Sequence, residues 1–313
     1  MTARAPLLSL VVVVYDMPEQ ARRTLHSLAT PYQRNVVPED YEVVVVENAS
    51  RRLLGRDAAL STGPNVRYFL REDDSRSPLR ALNFGGSESR GESLAVLIDG
   101  ARLVTPGAVE LSLMAQRAAR RGVLSVPGYH LGSELQQKAA LSGYDEAAEA
   151  SLLSGIAWPE DGYRLFDVAC FSGSCAGGFF LPFAESNFLS LPRELWRELG
   201  GYDERFVAVG GGYSNLDFYT RVCAAPDVTL FVAPGEGTFH QLHGGITTGG
   251  TSGEERARLM EGFVAEYRTL RGRDFEMPAR EPLYLGRIGE HARRFVLDSA
   301  QKWVARTAQP PRG

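Results

Sequence analysis

The chain has 313 residues, 44% hydrophobic and 23% charged, with a net charge of -4. That composition suits a protein with a buried core, and it excludes both a disordered chain and a global basic field that would recruit nucleic acid. Three cysteines, Cys170, Cys175 and Cys223, show no CxxC spacing and cannot all pair, which points to a reducing, cytoplasmic setting.

In chain order, "LLSLVVVVYD" (7–16) is a short β-branched apolar run, the pattern of a central parallel strand. It reaches Asp16 without a small-residue cleavage site, so it does not read as a signal peptide. No run approaches the ~20 apolar residues of a membrane span. Asp16 is placed to cap a helix, with Pro18 and Glu19 in its first turn and Ala21, Leu25 and Leu28 at helical spacing. "YEVVVVENAS" (41–50) predicts a second strand and "NVRYFLRE" (65–72) a third. "SPLRALNFGGSESRG" (77–91) predicts a helix with glycines near its end. "SLAVLIDGA" (93–101) is a fourth strand, after which Thr105-Pro106 opens another helix. Alternation of strand and helix implies an α/β protein with a mostly parallel sheet and crossover helices.

The middle, about 129–168, reads as irregular, with a helix over Asp145–Leu153. Residues 179–206 predict a strand and then a helix between Pro192 and Gly200-Gly201. "GGGYSNLDFYTRV" (210–222) is a glycine loop entering a helix, and "VTLFVAPGEGTFHQLHGG" (228–245) is a strand followed by a histidine-bearing loop. Beyond Gly253 the chain is helical, with Met260, Phe263, Val264 and Tyr267 on one face and Ala292, Phe295, Val296, Ala300 and Trp303 on another.

Ligands of such sheets bind beyond the carboxyl ends of the strands. Those ends are Tyr15-Asp16, Glu47-Asn48, the Arg71–Asp74 region and Asp99. No GxGxxG follows the first strand, and no P-loop or nucleophile elbow occurs. A strand that drops into Asp99 suits a metal or a sugar diphosphate, yet the position two residues on is Ala101, followed by Arg102.

At this point the chain resembles the family-2 glycosyltransferases of the GT-A fold, over about residues 7–245. The resemblance rests on "LSLVVVVYDMPEQARRTLHSL", "YEVVVVENAS", "LNFGGSESRGESLAVLIDGA", "FLSLPRELWRELGGYDERF" with "GGGYSNLDFYTR", and "FHQLHGG", in that order. Glu47 stands where the family usually has Asp, and Asp-Gly-Ala-Arg stands for Asp-x-Asp, a form that suggests a bacterial subgroup. The resemblance implies a catalytic domain over 1–250 that binds a nucleotide-sugar, with a C-terminal helical extension over 251–313.

It implies a UDP- or GDP-sugar donor, a glycan, lipid-linked or small-molecule acceptor, and a Mn²⁺ or Mg²⁺ ion that stabilises charge on the departing diphosphate. The ion's ligands would be Asp99 and His240 or His243. The nucleotide-sugar would meet Val14, Tyr15, Glu47, Asn48, Arg80, Asn83, Asp99, Gly100 and Arg102. The family's acceptor base belongs to Glu-Asp-x-Asp, which here reads Ser214, Asn215, Leu216, Asp217. Asn215 cannot take a proton, and the Ser-Asn-Leu-Asp order also resembles the Glu-Asn-Leu-Glu of some retaining GT-A enzymes, which dispense with a conventional base, so the resemblance leaves the stereochemical outcome open. Asp217 is then the candidate base, or else the partner of Arg221 one helical turn on. Glu185, Asp203 and Glu204 are alternatives. Tyr213 is either a sugar-stacking residue or core. Arg293, Arg294, Lys302 and Arg306 give the last helix a basic side, suited to peripheral membrane contact or to a solvated face; the helices also offer a homodimer surface. The rival reading is a catalytically inactive GT-A domain that binds glycans or partners.

Overall fold

The computed structural model describes residues 5–73, 75–243 and 253–308. Asp74 and the glycines Gly244 and Gly245 of the histidine loop lie outside the described residues. The first half runs β1 (Leu8–Val14), α1 (Pro18–Leu28), β2 (Tyr41–Asn48), α2 (Arg56–Leu60), β3 (Val66–Arg71), α3 (Leu79–Glu88), β4 (Ser93–Leu97), β5 (Arg102–Val104), α4 (Ala108–Ala118), β6 (Gly122–Val126) and β7 (Gly128–Leu131). Then come α5 (Gln136–Ala139), α6 (Glu146–Gly155), β8 (Ala169–Phe171), β9 (Phe188–Pro192), α7 (Arg193–Glu198), α8 (Ser214–Ala224), β10 (Thr229–Val232), β11 (Thr238–His240), α9 (Gly253–Arg271), β12 (Leu283–Tyr284) and α10 (Arg293–Thr307).

The main sheet has the order β12-β10-β6-β9-β4-β1-β2-β3. All its pairings are parallel except those of β9, which runs antiparallel between β4 and β6. β1 and β2 are buried along their whole length because both faces are covered. Their side chains alternate between two cores. Val11, Val13, Val44 and Val46 face one, and Leu10, Val12, Val14, Val43 and Val45 face the other. The glycines foreseen in α3 are what let it lie on the sheet: a Cβ at Gly85 would come within 2.4 Å of a Val11 methyl.

A second sheet, β5-β11-β7-β8, stands beyond the carboxyl edge of the first. The segment 129–168, expected to be irregular apart from one helix, supplies most of β7, α5 and α6 to this region; α6 is the helix expected over Asp145–Leu153, and β8 follows directly after the segment. The C-terminal segment is built into the same core. β12 pairs with β10, Phe295 of α10 packs on Tyr129, and Tyr267 of α9 packs near Phe206 and Tyr213.

Candidate metal and donor site

Asp99 lies just past β4, beyond the carboxyl edge of the sheet. Its Oδ1 accepts the Ala101 N–H (3.0 Å) and its Oδ2 the Arg102 Nε–H (3.1 Å). Ala101 itself is fully buried in an apolar cluster with Met17 and Ala21. A carboxylate there would be buried without a partner, so this is not a standard pair with one member missing.

The other ligand-bearing groups arrive from β11. Antiparallel pairing with β5 sets His240 opposite Arg102, and parallel pairing with β7 sets it beside His130. His240 therefore belongs to a strand, not to the loop expected from sequence; His243 follows the strand. Their Nε2 atoms are 3.2 Å apart. One ligand-capable atom each from Asp99, His240 and His243 lies within 4.8 Å of the others. One carboxylate oxygen and two imidazole nitrogens fit a divalent first-row ion such as Mn²⁺.

The protonation states agree with that fit. Burial, reinforced by the Arg102 guanidinium and the neighbouring imidazoles, holds His240 well below its ordinary value. Burial also lowers His243, against the opposing pull of Asp99, and brings His130 down to about 3. Neutral imidazoles are the ligating form. The tautomer of His240 follows from Gln136. That amide donates through Nε2 to the His240 carbonyl (2.9 Å) and toward Glu149 (3.3 Å), so its Oε1 faces the ring. His240 Nδ1–H donates to it at 2.5 Å, leaving Nε2 bare toward His243. Glu149 in turn accepts the Leu242 N–H at 2.7 Å and steadies the segment between the histidines. Burial pushes Glu149 up to about 7. Sequence reasoning missed Gln136 and Glu149, for neither carries a local motif; both act across the fold.

The other sequence candidates are placed differently. Arg102 does face Asp99, and its Nη1 is buried without a partner. Gly100 passes close to the backbone of β1: a Cβ there would lie 3.0 Å from the Val13 carbonyl oxygen. Tyr15 is exposed, Val14 is core, and Asn48 is buried with its Oδ1 unpartnered. Glu47 is not open to a nucleobase. Its oxygens accept the Leu54 N–H (2.6 Å), the Gly55 N–H (3.0 Å) and the Tyr68 hydroxyl (2.6 Å). Asp16 does not cap α1, whose N-cap is Met17; its carboxylate holds Arg52 instead. Arg80 is exposed and lies 3.7 Å from Asp73 and 4.0 Å from Glu204. Asn83 braces Tyr202 and Glu204.

Asp217 is not a free base. Arg221 holds it at 2.8 Å and Arg271 at 2.5 Å and 2.8 Å, so both oxygens are taken. The pairing with Arg221 is the reading that holds, with Arg271 added. Asn215 donates to Glu185 Oε2 (2.8 Å) and the Ser186 carbonyl (3.1 Å), and accepts from the Tyr202 hydroxyl (3.1 Å). Tyr213 is half-buried and packs against Phe263, Tyr267 and Phe275 at the edge of the core. Of the basic residues on α10, Arg294 serves the carbonyls of Phe166 and Ala169, and Lys302 pairs with Asp298. Among the described residues no helix is long and apolar enough to cross a membrane.

No family model matches the chain. It is 29% identical over 238 residues to validoxylamine A glucosyltransferase of Streptomyces hygroscopicus subsp. limoneus, a match covering 72% of this chain and 50% of that protein. The chain thus spans about half the length of the curated relative it matches. Among solved structures, the mannosyltransferase PcManGT from Pyrobaculum calidifontis, in complex with GDP-Man and Mn²⁺, superposes with a TM-score of 0.52 at 15% identity, covering 99% of this chain and 77% of that one. The 1–349 portion of S. aureus TarS in complex with UDP-GlcNAc gives 0.49 at 12% identity, covering 96% and 74%. The fold shared with that mannosyltransferase is mixed α/β, with a mostly parallel central sheet and flanking helices.

Proposed function

We propose that the chain is a glycosyltransferase that moves a hexose-type sugar from a UDP- or GDP-sugar to an acceptor hydroxyl on a glycan, a lipid-linked sugar or a natural product. The observation that carries this is the convergence of Asp99, His240 and His243 within 4.8 Å beyond the carboxyl edge of the sheet. The kinship with a protein named as a glucosyltransferase and the fold shared with PcManGT support it. The free cysteines suit a cytoplasmic setting.

A divalent cation here supplies positive charge to the diphosphate as the sugar–phosphate bond breaks. The protein's own residues do the rest. Asp99 and the bare Nε2 of His240, with His243, would hold the ion in place. Gln136 fixes which nitrogen of His240 is bare. Arg102, held against Asp99, adds a permanent cation beside them. With a single carboxylate among Asp99, His240 and His243, these residues alone would hold a free ion weakly, and a diphosphate oxygen would be a further ligand for it.

Thermal shift against UDP-, GDP- and dTDP-sugars, with and without Mn²⁺, tests the reading. One nucleotide class should stabilise the protein, and more so with the metal; at a hundredfold excess over Kd the gain is about 2.7 kcal/mol. Absence of stabilisation by every nucleotide under both conditions rejects it. Asn215 favours the second reading, a sugar-binding domain without turnover, and release of free nucleotide separates the two.

A further inference from the structure

We infer that the acceptor's general base is Glu185, and that Asn215 is now the residue that positions it. The inference rests on the glycosyltransferase reading above. An inverting transfer needs a carboxylate close to the acceptor hydroxyl. The position at which the resemblance places it is Asn215, which cannot serve. Yet the amide of Asn215 is anchored by the Tyr202 hydroxyl on its oxygen and by the Ser186 carbonyl on its nitrogen, and the same nitrogen donates to Glu185 Oε2 at 2.8 Å. A carboxylate therefore stands one hydrogen bond away from where the family carries one.

Topology puts it at the right edge. β9 runs antiparallel beside β4 with Phe188 opposite Leu97. Glu185 precedes that strand and Asp99 follows β4, so both lie just beyond the same end of the sheet. Glu185 is half-buried, and among the described residues its Oε1 makes no hydrogen bond or ion pair. The other carboxylates nearby are committed. Asp217 is held by Arg221 and Arg271. Asp203 is held by Arg205 and Arg271, which keep its carboxyl well below the usual range and make it a poor proton acceptor. Glu204 accepts from Asn83 and lies 4.0 Å from Arg80.

In the step itself, the acceptor oxygen forms its bond to the sugar's C1 while its proton passes to Glu185. The bond from C1 to the diphosphate oxygen breaks, and its electron pair leaves with the nucleoside diphosphate. The configuration at C1 inverts, and Glu185 returns the proton to solvent.

The test uses UDP-glucose and GDP-mannose with Mn²⁺, with water as the acceptor, and reads nucleotide release and the nucleotide-dependent thermal shift together. Glu185→Gln still accepts from the Asn215 amide, so the shift should be unchanged while release falls about 100-fold or more. Adding Asn215→Asp to Glu185→Gln should restore part of the rate by returning a carboxylate to the neighbouring position. Wild-type release in Glu185→Gln overturns the assignment, as does loss of the thermal shift along with the rate, since that would place Glu185 in donor binding. Retention at C1 in the first-formed sugar also overturns it. Absence of any nucleotide shift in the unmodified protein is a different result and strikes the parent reading instead.

Discussion

The carboxyl edge of the main sheet has two ends that use the same residue type in opposite ways. At the β1–β2 end, Asp16 and Glu47 follow buried strands, and their oxygens are taken up by the chain itself: Arg52 on Asp16, and Leu54, Gly55 and Tyr68 on Glu47. At the β4–β11 end, Asp99 accepts from its own turn and from Arg102 but still faces two neutral imidazoles. A carboxylate at a strand end is thus not evidence of a ligand site until its remaining hydrogen-bonding capacity is counted. The loop after β2 folds back onto Glu47, whereas the turn after β4 moves on into β5 and leaves Asp99 facing β11.

The sharpest way to break this comparison is to remove one carboxylate from each end. Asp99→Ala should abolish the Mn²⁺-dependent part of the nucleotide thermal shift while leaving the apo protein folded. An unchanged Mn²⁺ term would reject Asp99 as a ligand. Glu47→Ala should do the reverse. It leaves two backbone N–H groups and the Tyr68 hydroxyl without their acceptor, a loss of about 3 kcal/mol, or roughly 6 °C in Tm. The Mn²⁺ term should survive. If Glu47→Ala loses nucleotide binding without losing stability, the β1–β2 end is a nucleoside site after all.

A third measurement uses pH on the loop that carries β11. Glu236 is buried, accepts from the Tyr163 hydroxyl (3.0 Å) and the Gly107 N–H (3.1 Å), and is pushed up to about 7 by burial. The folded state therefore keeps a proton that the unfolded chain gives up near the ordinary value of 4.5. The stability this contributes is present below pH 4.5 and is lost as pH rises through about 7. Between pH 5 and 7 the expected loss is about 2 kcal/mol. Glu236→Gln, neutral throughout, should flatten that part of the stability profile in urea titrations. An identical slope in the variant would mean the burial of Glu236 is relieved by water.

How much of this could be read from sequence depended on the length of each element. β1, β2 and β4 are unbroken apolar runs buried on both faces, and they stood out with their polar ends attached. β5, β8 and β11 have three residues each, too few for any period to show, so the sequence reveals no second sheet and puts His240 in a loop where the structure has a strand. Asp99 and the histidines were nominated by residue type and position. That Ala101 faces a core, and that β11 brings His240 up beside the Asp99 turn, depends on packing and a strand pairing between residues far apart in the chain. The Asp217–Arg221 pair was legible at one helical turn, but Arg271, 54 residues on, was not. That second guanidinium is what removes Asp217 from the list of bases.

The smallest expected effect bears on the detail that most distinguishes the β4–β11 end. His240 can ligate through Nε2 only if its proton sits on Nδ1, and the Gln136 oxygen at 2.5 Å holds it there. Without that acceptor the ring is free to place its proton on Nε2, the nitrogen that must be bare. Gln136→Leu keeps the side chain's bulk while removing the acceptor, so Mn²⁺ affinity, measured by electron paramagnetic resonance in the presence of UDP, should weaken about 10-fold. Stability will fall as well, because Glu149 and the His240 carbonyl lose a donor. Glu236→Gln, a change just before β11 and not in contact with the imidazoles, serves as the control for general loosening of the segment that carries His240. Weaker Mn²⁺ binding in Gln136→Leu with unchanged binding in Glu236→Gln would tie the effect to the tautomer. Equal weakening in both would mean that the β4–β11 end depends on the rigidity of the loop, and not on which imidazole nitrogen carries the proton.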